Sequence, residues 1–250
     1  MKTIKNKNYL PFLKHNIKNC KSKYVITDLL PAKIHIYNNL DISFDQIKSI
    51  LKKTIEEYKK FYIFNPQNAR PLAIFILNKK HKYYGGVFYK EYSCIVIYSS
   101  CVNISETISH EFIHYLEFLE NPELFKSIIL PEDGIENYLK SEIEKRAFVL
   151  SALVSGHINK LIEQYFPHIC NYLKIYDMLQ YYYIIEDFDL DNRHYKIEKW
   201  IPDTDIIEIK ETIYIGGLIY FDKYRVKIED FKDIIKKKLE KRLKEALNQI

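Results

Sequence analysis

Two histidines and a glutamate, in the run His110-Glu111-Phe112-Ile113-His114, carry the most legible chemistry of this chain. Residues four apart on a helix lie one above the other on the same face, so both imidazoles can reach a single ion. Neutral imidazoles bind Zn²⁺ without cancelling all its charge, and the ion can still acidify a water in an open position. The carboxylate between them, Glu111, is placed to take that water's proton as general base. Types and spacing together point to metal-assisted hydrolysis with Zn²⁺ as cofactor. The competing reading is a helix with two solvated or partner-bound histidines. With 8 His and 33 acidic residues in 250, the pattern would arise by chance roughly 0.03 times per chain, so its surroundings decide.

Those surroundings favour a helix. Asn103 can cap its start, with Glu106 three residues on in the capping-box position. Ile104, Ile108, Ile113, Leu116 and Leu119 recur near helical spacing, and Asn121-Pro122 ends the run. Upstream, residues 24–27 and 33–37 read as strands. A helix is expected over Phe44–Phe61, where Ser43 and Gln46 form a capping pair and Phe44, Ile47, Ile50, Leu51, Ile55, Tyr58 and Tyr62 share a face. Beyond the Asn65-Pro66-Gln67-Asn68 turn, three short apolar runs at Leu72–Leu77, 87–89 and 95–98 read as strands, the first two separated by Gly85-Gly86. After the motif come an acidic loop at Pro131-Glu132-Asp133-Gly134 and a helix expected over residues 135–153.

A catalytic zinc site usually takes three protein ligands and keeps one position open. Neither Gly nor His occurs between Tyr115 and Asn121, so a close third histidine is absent and the acids of the next helix are the better candidates. That helix contains Ser141-Glu142-Ile143-Glu144-Lys145-Arg146-Ala147-Phe148. Here the chain resembles the gluzincin-type zinc metallopeptidases, zincins whose third ligand is a Glu on a helix after the H-E-x-x-H helix. In several such families small and aromatic residues follow that Glu and pack the two helices together. Glu144 with Ala147 and Phe148 matches this pattern 30 residues after His114, while Lys145 stands where the family often has Ala.

The resemblance spans residues 72–153, and its specific part is two short motifs. It implies a zincin-like fold and a zinc-dependent peptidase acting on a protein or peptide. His110, His114 and Glu144 would hold the metal, and Glu111 would serve as base. Glu142 remains an alternative, as do the acids Glu132, Asp133 and Glu136. Residues two apart point to different sides of a helix, and Glu144 lies four residues before Phe148, which is expected to face the core. A peptide substrate is expected to lie antiparallel along one of the strands at 87–89 or 95–98. Among other histidines, His81, His157, His168 and His194 are minor candidates for a supporting role, and one of the 22 tyrosines could polarise the substrate carbonyl.

The expected fold class is α+β: a small mixed or antiparallel sheet packed on the active-site helix, with a mainly helical C-terminal part. With 47% apolar residues, 22 Tyr and 14 Phe, the chain can bury a large core. A boundary near Ser155-Gly156 divides it into 1–155, the metallopeptidase domain, and 156–250, a helical and hairpin extension; a second boundary candidate lies near 187–192. In the extension, residues 158–183 look helical, 206–209 and 212–220 look like strands around Gly216-Gly217, and 228–250 is an amphipathic helix. Its apolar side is read as Ile228, Phe231, Ile234, Ile235, Leu239, Leu243, Leu247 and Ile250.

A net charge of +5 is too mild to indicate a nucleic-acid partner. The Lys236-Lys237-Lys238 and Lys241-Arg242 run reads as a solvated helix face. Cys20, Cys94, Cys101 and Cys170 show neither metal spacing nor a disulfide framework. The basic N-terminal stretch has only a short apolar piece, Tyr9-Leu10-Pro11-Phe12-Leu13, so neither a signal peptide nor a membrane span is expected. No membrane partner and a cytoplasmic location are the corresponding expectations. Two rival readings are a catalytically inactive zincin-fold binding or structural protein, and an adaptor working through the basic C-terminal helix.

Overall fold

Short runs of β-branched and aromatic residues form strands, and the most continuous of them are interior. The computed structural model describes residues 9–126, 134–181 and 185–249. Strands β1 (Ser22–Ile26), β2 (Ile34–Asn38), β3 (Leu72–Leu77), β4 (Gly86–Tyr89) and β5 (Cys94–Tyr98) form a mixed sheet in the order β1-β2-β3-β5-β4. β2, β3 and β5 run parallel, and β1 and β4 pair antiparallel at the two edges. Parallel interior strands are covered on both faces, and β5 is accordingly buried along its whole length.

The register sorts the side chains by face. Phe75, Leu77, Cys94, Val96 and Tyr98 form a buried cluster on one side, joined by Val87, Tyr89 and Ile17; Ile17 lies on α1 (Tyr9–Asn19). On the other side Ile74, Ile76, Ile95 and Ile97 are fully buried, and α3 (Ile104–Glu120) packs over β4 and β5. Helix α2 (Phe44–Phe61) packs on α3. Thr54 of α2 donates to Ser109 Oγ of α3 at 3.1 Å, which satisfies two buried hydroxyls at the seam.

Both long helices begin as their caps dictate. Ser43 accepts from the Gln46 amide, and Asn103 accepts from the amides of Ser105 and Glu106. The helix expected over residues 135–153 is instead two helices, α4 (Ile135–Lys140) and α5 (Glu142–Ser155). Ser141 is extended between them, its N–H bonds the Tyr138 carbonyl, and its own carbonyl accepts from the Lys145 amide. The break starts α5 afresh, with Glu142 and Glu144 in its first turn. α5 then packs against α3.

The chain divides into two compact units, Met1–Ser155 and Gly156–Ile250. The second contains α6 (Lys160–Tyr165), α7 (Pro167–Tyr181) and α8 (Ile228–Asn248). Its antiparallel sheet has the order β6-β7-β8-β9, formed by β6 (Asp187–Leu190), β7 (Arg193–Trp200), β8 (Ile206–Ile215) and β9 (Leu218–Lys227). This corrects the expectation of a mainly helical part with a single hairpin. The segment read as a boundary near 187–192 is a hairpin, with both turn residues, Asp191 and Asn192, at positive φ. Phe188, Tyr195 and Phe231 bring their rings together between this sheet and α8. Ile228, Phe231, Ile235, Leu239, Leu243 and Leu247 of α8 are buried, whereas Ile234, expected on that face, is exposed.

Among the described residues the fold is therefore mixed α+β, with eight α-helices and two sheets. No described helix is long and apolar enough to cross a membrane. None of the four cysteines is in a disulfide.

Because Asn103 satisfies two otherwise orphaned amides at the start of α3, Asn103→Ala is expected to cost about 1 kcal/mol of unfolding free energy, with Asn103→Asp close to neutral. Denaturant unfolding of the two variants checks this, and equal losses would remove the cap from the account.

Candidate metal centre

α3 turns His110 and His114 to one side, and the first turn of α5 brings Glu144 against them. His110 Nε2 lies 3.1 Å from His114 Nε2 and 3.0 Å from Glu144 Oε2. His114 Nε2 lies 3.4 Å from Glu144 Oε1. All three side chains are buried, with one donor atom from each inside a 4.8 Å group. Donors held tetrahedrally at zinc-like bond lengths would stand about 3.3 Å apart, and the observed spacings bracket that value. Two ring nitrogens facing each other at 3.1 Å can share at most one proton between them, whereas both can direct lone pairs at an ion. The cluster is close enough to hold a metal ion.

The sequence left Glu142 and Glu144 open, and α5 separates them: Glu144 is buried in the cluster, Glu142 exposed. The Phe148 ring, one turn beyond Glu144, lies 4.6 Å from the His110 ring. Glu136 is exposed and ion-paired with Lys140. Glu132 and Asp133 lie outside the described residues.

Burial works against charge throughout this cluster, but neighbours decide the sign. It pushes the Glu144 carboxyl up, yet His114 and His110 outweigh it and hold Glu144 well below the usual carboxylate range. It disfavours charged His114, yet Glu144, Glu117 and Glu111 raise that imidazole well above its ordinary value. For Glu111 burial prevails over the two histidines and over the Phe88 backbone amide, and its carboxyl is raised. A raised carboxyl suits a group that must both take and return a proton.

The position of Glu111 depends on Gly86, which the sequence marks only as a break between strands. A Cβ on Gly86 would stand 2.7 Å from Glu111 Cγ, 2.8 Å from Thr107 Cγ2 and 2.9 Å from Glu111 Oε1. Only glycine lets β4 approach α3 this closely. The neighbouring register turns backbone groups of β4 outward. Because the Tyr98 amide donates to the Gly85 carbonyl, the alternating pattern points the N–H and C=O groups of Gly86 and Phe88 away from β5. β5 itself is paired on both sides, so of the two strands considered for substrate docking only β4 lies at an edge of the sheet among the described residues.

Three further residues, Glu117, Arg146 and Tyr138, surround the cluster without a motif of their own in the sequence. Glu117 lies one turn after His114, with Oε2 3.7 Å from His114 Nδ1. That is too long for a hydrogen bond, and among the described residues neither Glu117 oxygen nor His114 Nδ1 has a hydrogen-bond partner. The i, i+3 spacing was the available clue. Arg146 acts on Glu117 electrostatically and lies over the Tyr62 ring. Tyr138 on α4 hydrogen-bonds Glu144; burial, then the Glu144 and Glu111 charges, keep its phenol protonated far above the usual range.

The minor histidine candidates are elsewhere. His81 accepts from the Tyr83 and Tyr84 amides, His194 pairs with Asp187 and Asp189, and His157 and His168 are exposed. Two lysines of the C-terminal run are engaged locally, Lys238 with the Tyr195 hydroxyl and Lys236 with the Tyr176 ring.

Comparison with protein-family models, with curated proteins and with solved structures finds no match in any of the three.

Metal analysis after dialysis separates the carboxylates: Glu144→Ala is expected to lose bound metal and Glu142→Ala to retain it. The reverse result would put α5 in the wrong register. A carboxylate behind a ligating histidine typically contributes about 10–100-fold in metal affinity. Glu117→Gln is accordingly expected to weaken binding by about that factor in a competitive chelator titration, and unchanged affinity would leave Glu117 with no part in orienting His114.

Proposed function

We propose that this protein is a zinc-dependent peptidase of zincin-like, gluzincin type. The observation that carries the reading is convergence: two imidazoles and one carboxylate face a common point, and Glu111, from the same helix turn, stands beside them against the edge strand β4. Two nitrogens and one oxygen with a position left open is a donor set of catalytic zinc. His110, His114 and Glu144 would hold the ion. Zinc supplies Lewis acidity and brings a water's pKa down to about 7.

The chain's own groups account for the rest. Glu111 accepts the attacking water's proton at its carboxylate and returns it to the departing amine nitrogen. Its raised carboxyl makes it a stronger base for the first of these transfers, and the Phe88 amide with the bare Cα of Gly86 keep it aimed. Tyr138, kept protonated, donates its one O–H to Glu144 and so orients the carboxylate that would hold the ion. A peptide laid antiparallel along the outer edge of β4 would bring its backbone to these groups.

Zinc-loaded wild type is expected to cleave members of a fluorogenic peptide library. Glu111→Gln is expected to keep its zinc and its fold while cleaving about 10²–10⁴-fold more slowly, because an amide cannot take the proton. Gly86→Ala is expected to follow Glu111→Gln, with metal retained and turnover reduced, because the added methyl displaces the same carboxylate. A Glu111→Gln enzyme as fast as wild type would overturn the mechanism, and an inactive, zinc-loaded wild type would overturn the peptidase reading.

A further inference from the structure

We propose that the β8–β9 hairpin docks this protein on membranes by inserting its tip into the interfacial layer of an anionic bilayer. The inference stands apart from the metal centre. Gly216 and Gly217, both at positive φ, turn the chain between Ile215 and Leu218. Around that turn Tyr214, Ile215, Leu218, Ile219, Tyr220 and Phe221 are all exposed. The ladder with β7 ends at Ile213 and a last bond runs from the Tyr214 amide to the Asn192 carbonyl, so the Ile215–Leu218 rung and the glycine turn extend beyond the sheet.

Both faces of the hairpin tip are apolar. Cross-strand partners share a face, which puts Ile215, Leu218 and Tyr220 on one side and Tyr214, Ile219 and Phe221 on the other. A protein partner lying on the sheet, or a second copy pairing along β9, would cover one face or one edge. Two apolar faces suit a medium that surrounds the tip. The other large exposed apolar side chains among the described residues are scattered along the chain from Val25 to Ile234.

The charge pattern selects the kind of surface. Lys196, Lys210 and Lys223 are opposite one another on three successive strands, on the Phe221 face and two residues further from the tip. Against the three lysines stand two carboxylates, Glu198, which Lys223 binds, and Asp187, opposite Lys196 on β6, which leaves an excess of one positive charge. Lys210 extends over the Phe221 ring, 4.7 Å from its centre. From Ile215/Leu218 to Thr212/Phe221 the rungs span about 10 Å, comparable with the depth to which interfacial segments enter a leaflet. With the tip at that depth, the lysine row lies at the level of lipid phosphates. No membrane partner was expected from the sequence because no segment could span a bilayer. Interfacial docking needs no span.

Flotation of the full chain with vesicles tests the proposal. Binding is expected to phosphatidylcholine vesicles containing phosphatidylserine, and to be weaker by at least about tenfold on phosphatidylcholine alone or in high salt. The Leu218→Asp, Ile219→Asp double variant is expected to lose binding by at least about tenfold, and the Lys196→Gln, Lys210→Gln variant to lose it by a similar factor on the anionic vesicles. A second reading uses fluorescence. Trp200 is the sole tryptophan, and a Trp200→Phe, Phe221→Trp protein is expected to shift to the blue on anionic vesicles. No flotation, flotation equal on neutral and anionic vesicles, or flotation indifferent to the tip substitutions would each overturn it. So would a concentration-dependent dimer abolished by the tip substitutions without vesicle binding, which would assign the hairpin to a second copy.

Discussion

Much of the first unit is organised by the cost of burying ionisable groups side by side. His110, Glu111, His114, Glu117 and Glu144 are all withdrawn from water between α3 and α5. A buried charge is tolerated only when it is paired, hydrogen-bonded or bound to metal. Here the imidazoles face the Glu144 carboxylate, and Glu144 in turn is held ionised by them. Loosening the α3–α5 packing would strand each of these groups without compensation. The helix pair and the site are for that reason one structural commitment.

The sheet serves that commitment through its edge. β3 and β5, covered on both faces, form a rigid interior, and β4 lies at an edge among the described residues. Phe88 packs its ring against Tyr115, Phe118 and Phe125 while its amide reaches Glu111. Gly86, two residues earlier on the same face, gives up its side chain so that Glu111 can occupy the space. The aromatic packing fixes the distance between strand and helix, and the glycine makes that distance sterically possible.

The second unit solves a different problem. Its sheet buries Phe188, Tyr195 and Ile209 on the helix side, with α8 supplying Phe231 to the same core. Beyond that core β8 and β9 continue with apolar side chains that bury nothing. Most unpartnered strand edges carry charges or prolines that discourage association. The outer rungs of this hairpin carry neither, and its cations begin only at the Lys210–Lys223 rung.

Local rules determined a good deal of this from sequence alone. The bounds of α2 follow from the Ser43 cap and a helical apolar stripe, and those of α3 from Asn103 at one end and Asn121-Pro122 at the other. β3 was legible as an uninterrupted apolar run. The pairing of His110 with His114 follows from helix periodicity, which needs no tertiary information. What the sequence left open was decided by contacts between elements distant in the chain. Glu144 rather than Glu142 joins the histidines because α5 packs the Glu144 side of its first turn against α3. Glu117, Tyr138 and Gly86 acquire roles only through the groups they face. β6 and β7 are not legible in the sequence, because their residues, rich in charge, lack a clear apolar run, and pairing in the sheet is what makes them strands. Spacing along one helix can be counted from a sequence. Proximity between α3, α5 and β4 arises only when burial of their shared core brings them together.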